Sequence, residues 1–534
     1  MMKTRYLLTV LSGVALLSAA TSCNDWLKEE APGTTNLNDF FTSGTTAIQT
    51  ANACYTPLAW EYNTTYFPEW FIGDVASDDA LKGGQNTTDM ADAYDIENFK
   101  TNPNNGLLLD FYRAQYQGIA RCNLALQQVP AVEPDETMTQ ERKDCLLGEV
   151  HFMRAYYYFR LVRIFGGVPY VDFVIDSSNE WQQPRATADE VYQKIIDDLL
   201  IAEPLLWNKS KYADEDLGRV TKGAAQAMLL KVYLYMHDYE NAYKWGKTFM
   251  EQQYNTGEYS LCLNYPDNFT LAGENGPESV FEIQYMEDPT SDYGEGFGFT
   301  RGTFTTVLTR SRALSLQGVE GWGFNHPTQD LYDEFEQGDP RRDWTIYAPT
   351  AEEIASNPEY TYLGSYYSNF KTAFYENGAY YILTHATRSP LNYRLIRLSD
   401  VMLMYAEAAV HQSDTGTATA MLNNVRSRVG MPAYGSYQVQ SDWEMPADGD
   451  GSDLLRAICH ERRVELAMEG HRWFDLCRWG IVYDVMDKDK GSYGSHESAE
   501  ARAEMASFIE GKNELFPIPA EEINLNPMEQ NPGY

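Results

Sequence analysis

Apolar residues recur at helical spacing from Leu107 to Val129, through Leu108, Phe111, Ile119, Cys122 and Leu126. That period marks an α-helix with one face turned to a core. Pro130 and Pro134 break the pattern, and a second helical stretch runs from about Glu141 to Phe165, stopping at Gly166-Gly167-Val168-Pro169. Two such stretches with a short connection predict an antiparallel hairpin. The unit recurs. Thr187 and Glu190 have the spacing of a capping box for a helix toward Leu206. Thr221 leads a face of Ala224, Ala227, Leu230, Tyr233 and Leu234; after a turn at Asp238-Tyr239, Ala242, Trp245 and Phe249 open the next helix. A further copy runs from Leu398 through Ala406, Ala408 and Ala409, turns between Ser413 and Gly416, and resumes with Ala420, Leu422, Val425 and Val429. Small residues at helix crossings with Tyr and Leu knobs resemble tetratricopeptide (TPR) repeats. The pattern predicts a mainly α fold, a TPR-like scaffold of helical hairpins over about 107–250 and 398–480. Residues of about 60–106 and 254–397 escape it, being rich in Gly, Pro, Tyr and Asn. Long irregular connections of this kind usually carry function.

The N-terminus has a separate logic. Lys3 and Arg5 precede an apolar run from Tyr6 to Leu17, then Ser18-Ala19-Ala20-Thr21-Ser22-Cys23. This is a secretory signal, too short to span a bilayer. Cysteine after small residues resembles a bacterial lipobox, with Ala20 where Leu is usual; an ordinary secretory signal cleaved nearby is the alternative. Residues 1–22 are thus expected to be a signal peptide and Cys23 the lipidated residue. Residues 23–38 would be a tether and 39–534 a single domain. Stable anchoring needs more than one acyl chain on Cys23. The acidic stretch after Cys23 looks like the surface-export signal of Bacteroidetes lipoproteins.

Charge narrows the partners. The formal net charge is −36, and loss of Lys3 and Arg5 makes it more negative. With no basic stripe, nucleic acid is excluded as a partner and polyanions are disfavoured. Beyond Cys23 the cysteines are Cys54, Cys122, Cys145, Cys262, Cys459 and Cys477. None forms CxxC, and buried free thiols suit so large a chain, with one disulfide as the alternative.

Several blocks now carry a resemblance. They include Gly148–Phe159, Phe165-Gly166-Gly167-Val168-Pro169, Arg219–Ala225, Arg397–Ala408, Asn424–Gly430, Glu461–Leu476, Phe516-Pro517-Ile518-Pro519 and Gln530–Tyr534. In this order, over nearly the whole chain, they resemble the SusD/RagB family of Bacteroidetes nutrient-binding lipoproteins. The resemblance implies a TPR-like frame with a loop-built binding face. It also implies an outer-membrane location, pairing with a SusC-like TonB-dependent transporter, and binding without catalysis.

The blocks themselves read as frame. Glu469, Arg472, Asp475 and Arg478 stand three apart and would form an ion-pair ladder along one helical face, with Arg462 and Glu465 pairing likewise. Trp473 and Phe474 would pack between helices. Ligand chemistry is expected in the irregular stretches, because a sugar wants aromatic plates for its C–H face and fixed polar groups for its hydroxyls. The candidates are Trp70, Asp74, Asp78, Asp79 and Asn86 in the first stretch, and Tyr293, Phe297, Phe299, Trp322 and Asn325 in the second. Trp60, Tyr62, Tyr66, Lys82, Tyr366, Tyr367 and Tyr375 stand behind them. Trp70 and Trp322 suit the base of a loop as well as a ligand. The expected ligand is a glycan or oligosaccharide; a peptide or other nutrient is the alternative cargo.

A secreted glycosidase is the remaining alternative, but no signature picks a carboxylate pair from 77 acids. His460-Glu461 begins a zinc-protease motif and Val464 ends it. Asp448–Asp453 departs from a calcium loop at its sixth and twelfth positions. No cofactor or metal is expected.

Overall fold

The computed structural model describes residues 41–61, 68–288, 301–356, 361–436, 453–487, 491, 493–494 and 496–534. The signal segment, Cys23 and the tether lie outside the described residues. So do Tyr62, Tyr66, Tyr293, Phe297 and Phe299, and the Asp448–Ser452 loop.

The fold is mainly α. Helix α1 spans Gly106–Gln128, with Asn105 as N-cap, and α2 spans Gln140–Phe165, capped by Thr139. Helix α3, Ala188–Leu205, carries the expected capping box, Thr187 with Glu190. Helices α4, Lys222–Tyr235, and α5, Tyr239–Phe249, are capped by Thr221 and Asp238. Helix α6 spans Leu398–His411, and α7, Thr415–Arg428, is capped by Asp414. Helices α8, Asp453–Leu466, and α9, Arg472–Arg478, follow.

Each of α1 to α5 packs on the next, and α5 packs directly on α6, although 148 residues separate them in the chain. Helices α2 and α4 are buried on nearly every face because neighbours cover both sides. Glycine sits where helices cross most closely: a Cβ at Gly246 would lie 2.3 Å from the Tyr405 ring, and one at Gly118 would lie 2.4 Å from the Tyr157 ring. Trp473 and Phe474 are core, as expected, and so are Phe152, Tyr156 and Phe159. The six described cysteines are free thiols, all buried but the half-buried Cys477. Phe516 donates its backbone N–H to the Ile164 carbonyl, and the Asn531 amide donates to the Phe165 carbonyl, so the C-terminal block clasps the end of α2.

Short ribbons organise the irregular stretches. Strand β1 is Ala80–Gly83, β2 Ser279–Ile283, β3 Phe324–Pro327 and β4 Tyr393–Arg397. Strands β1 and β3 pair antiparallel with Gly83 opposite Phe324, joining the two stretches. Strands β2 and β4 pair antiparallel, and β4 delivers Arg397 to the start of α6.

The expected charge ladder does not form. Helix α8 ends at Leu466, Met468 and Gly470 take positive φ, and α9 restarts at Arg472. Among the four residues of the expected ladder only Asp475 and Arg478 pair at i,i+3, at 2.8 Å. Glu469 instead receives Lys371 and Arg397, both at 2.7 Å, and Arg472 reaches Asp78. Arg462 pairs with Asp400 and Asp475, while Glu465 receives Arg341, Arg397 and Arg428. The bend aims these side chains at other elements, and the result is a buried charge network at the centre of the molecule.

Candidate functional site

Five of the sequence candidates belong to this interior and not to a ligand face. Asp78 accepts two hydrogen bonds of 2.7 Å from Arg472 and lies 2.9 Å from Arg463. Burial works to raise its pKa, but the two guanidiniums outweigh burial and hold it below the usual carboxylate value. Asp79 accepts from Arg463 at 2.8 Å; burial and the adjacent Asp78 charge push it up. Asp74 accepts from the Asn325 amide at 2.9 Å and from the Gly470 N–H at 2.8 Å, and burial raises it to about 7. Asn325 is thereby committed to Asp74. The Trp70 ring stacks on Phe71 with centroids 4.0 Å apart and donates its Nε1–H to Thr305 at 3.1 Å. All five are buried. From the sequence alone Asp78 and Asp79 read as acids near solvent because their arginine partners lie almost four hundred residues away in the chain, and Asp74 because Asn325 and Gly470 are also remote in sequence. Lys82 is buried too, its ammonium over the Phe324 and Tyr362 rings.

Trp322 is different: the residue is 37 % exposed. It stands edge-on to Phe304 at 4.9 Å, and its Nε1–H donates to Glu320. The flanking glycines are required. A Cβ on Gly321 would fall 2.5 Å from the Ser311 carbonyl, and Gly323 has φ +71°. Gly84 donates to the Gly323 carbonyl at 2.7 Å, so Asn86 leaves the β1–β3 ribbon from the same end as Trp322. Asn86 is exposed, but its Oδ1 accepts from Thr88 and Asp89 to close a local turn.

Beneath Trp322 lies an anchor that sequence reasoning passed over. Glu61 is buried, and its carboxylate accepts from the hydroxyls of Tyr285 (2.7 Å), Thr303 (2.6 Å) and Thr305 (3.1 Å) and from the backbone N–H of Phe304 (2.7 Å) and Thr305 (3.1 Å). Burial raises its pKa against these five donors. Glu61 therefore joins the chain next to 62–67 to the chain on both sides of 289–300.

Arg310 extends the same face. Its backbone carbonyl accepts from Gly323, while its guanidinium donates to the carbonyls of Ala373 (2.6 Å) and Tyr381 (2.9 Å). Tyr381 is 37 % exposed, stacks on Phe374 at 4.5 Å and donates its hydroxyl to Glu287, which also receives the Thr384 hydroxyl at 2.8 Å. Tyr375 joins a half-buried group with Phe370 and Tyr380 at 5.3 and 5.0 Å, and Tyr367 stacks on Tyr332 at 4.8 Å. The Tyr380-Tyr381-Ile382 run is the sequence signal for Tyr381, but only the fold sets it apart from its neighbours. The arrangement offers partly open rings with carboxylate and hydroxyl groups at their edges. Among the described residues no group of three or more His, Cys, Asp and Glu side chains is placed to hold a metal ion.

Comparison with known proteins bears on the whole chain. Residues 277–534 match the family model described as the SusD family, and residues 25–234 match one described as starch-binding associating with outer membrane. A SusD-like protein P2 of Formosa agariphila is 26 % identical over 541 residues, covering 98 % of each chain. A laminarin-binding SusD-like protein of solved structure superposes with a TM-score of 0.76 at 28 % identity, over 92 % of this chain and all of that one. Surface glycan-binding protein A from Bacteroides thetaiotaomicron gives a TM-score of 0.76 at 25 % identity, over 93 % of this chain and all of its own. With the helical array, the two model matches and these relatives in agreement, the chain belongs to the SusD/RagB family.

Proposed function

We propose that this protein captures glycan fragments at the cell surface and delivers them to a SusC-like TonB-dependent transporter, without catalysing a reaction on them. In this reading Cys23 carries the lipid that holds the chain on the outer membrane, residues 23–38 form the tether, and 39–534 form one binding domain. The observation that carries the reading is the half-open Trp322 ring, seated on Phe304 where Glu61 gathers the bases of both aromatic-rich stretches. Tyr381 and the Glu287 and Thr384 groups supply a second ring and hydroxyl partners. Tyr293, Phe297 and Phe299 are proposed as further ligand-binding residues. The likeness to a laminarin-binding protein supports a neutral glucan among the ligands, and the acidic surface favours neutral over anionic glycans.

Calorimetry of the soluble chain with laminarin and other neutral oligosaccharides tests this. Each ring contact is worth about 0.5–1.5 kcal/mol, so Trp322→Ala and Tyr381→Ala should each weaken binding by roughly two- to tenfold with folding intact. Heat from peptides alone would shift the cargo to protein-derived nutrients. Release of reducing ends during the titration would overturn the binding-only reading. Cys23→Ala should leave the membrane fraction; its retention there would overturn the anchor.

A further inference from the structure

We propose that Glu61 is a positioning residue for the ligand face: its carboxylate fixes the 303–305 backbone, and through Phe304 it sets the plane of Trp322. This inference rests on the reading of the Trp322 surface as the ligand face.

The two carboxylate oxygens face different donors. Oε2 receives the Phe304 and Thr305 backbone N–H groups and the Thr303 hydroxyl. Two of these are N–H donors, so an oxygen is obligatory there. Oε1 receives only hydroxyls, from Tyr285 and Thr305, and a hydroxyl accepts as readily as it donates. A carboxamide therefore fits, with its oxygen at Oε2 and its NH2 at Oε1, while an apolar side chain leaves buried N–H groups unmet. The Trp70 indole braces the same point by donating to the Thr305 hydroxyl. The Thr303 hydroxyl accepts from the Thr305 N–H at 3.1 Å, and Thr303 also pairs by its backbone with Ser389 at 2.8 Å. Phe304 is thus held on both sides, its ring in the core under Trp322, and the Val307 carbonyl accepts the Trp322 N–H at 2.9 Å. The plate is fixed by the segment that Glu61 holds.

The test compares Glu61→Gln with Glu61→Leu in protein labelled with 5-fluorotryptophan, the Trp322 resonance being identified by its loss in Trp322→Phe. Glu61→Gln should leave that resonance in place. Glu61→Leu should move or broaden it while resonances from tryptophans remote from this anchor keep their positions. Thr303→Val, which removes one donor and endangers folding less, should shift it in the same direction if Glu61→Leu does not fold. An unmoved Trp322 signal in whichever of these folds overturns the proposal. Against laminarin, Glu61→Leu or Thr303→Val should cost roughly three- to tenfold in affinity in the native background and little in Trp322→Ala, because coupled residues are non-additive. Losses that simply multiply, with Trp322→Ala itself impaired, overturn the positioning role alone. A Trp322→Ala protein of native affinity overturns the ligand face and the positioning role together. Absence of laminarin binding by the native protein counts against that ligand and leaves the resonance test to decide the positioning.

Discussion

Asp78 meets two arginines, Arg472 and Arg463, with all three side chains out of water. Removing one member of such a group strands the others, which costs far more than an exposed pair is worth. Asp78→Asn should therefore destabilise the fold by about 3–5 kcal/mol, read as a lower urea midpoint. Asp74→Asn should cost much less at pH 8, since Asp74 has no guanidinium partner and burial penalises the charge it carries above its pKa of about 7, a penalty the neutral amide escapes. Equal losses in the two variants would contradict this account. At this scale the sequence was a partial guide. Of the candidates it offers, Trp322 does reach the surface. It could not distinguish Asp78 from an exposed acid, because the arginines that claim it lie 394 and 385 residues further on. Nor could it find Glu61, whose five donors come from residues 285 and 303–305.

Helices were legible where their signals are local. Thr187 and Glu190 satisfy one another at the start of α3, with the Thr187 N–H donating to Glu190 at 2.8 Å. Loss of such a cap costs about 1 kcal/mol, so Thr187→Ala should lower the unfolding midpoint modestly without touching ligand affinity. A change in affinity would mean that α3 communicates with the binding face. The stretch from α8 to α9 was misread for the complementary reason. Three-residue spacing predicts a continuous helix, yet Met468 and Gly470 adopt left-handed conformations that end it. Gly470 is held there because its N–H serves Asp74 and its backbone lies against Gly73, where a Cβ would come within 2.1 Å of the Gly470 carbonyl. No local pattern announces a break imposed by a residue so far back in the chain.

For the molecule as a whole, the charge network makes stability depend on pH with a definite sign. Burial opposes charge on His460, but its bonds to Glu334 at 2.6 Å and Glu336 at 3.3 Å prevail and raise it from 6.5 to about 9. The folded form thus keeps a proton that the unfolded chain releases. The associated stability, on the order of 3 kcal/mol, is complete below pH 6.5 and disappears as pH rises through about 9. His460→Gln should flatten the alkaline limb of a stability–pH curve; an unchanged slope between pH 6.5 and 9 would refute the assignment. Glu336, lowered to about 2 by His460 and Arg426 against burial, acts on the other limb, its contribution being lost as pH falls from 4.5 through about 2.

The bridge from Asp78 to Arg472 also constrains timing. Hairpins such as α1–α2 can assemble from neighbouring sequence, but the centre needs partners from opposite ends of the polypeptide. When contacts so distant must meet, loop closure precedes the reward and assembly is slow. A chain emerging N-terminus first would hold its early acids hydrated until the late arginines arrive, and only then could water leave the middle. The repeats would accordingly behave as one collective transition, unlike a solenoid that grows unit by unit.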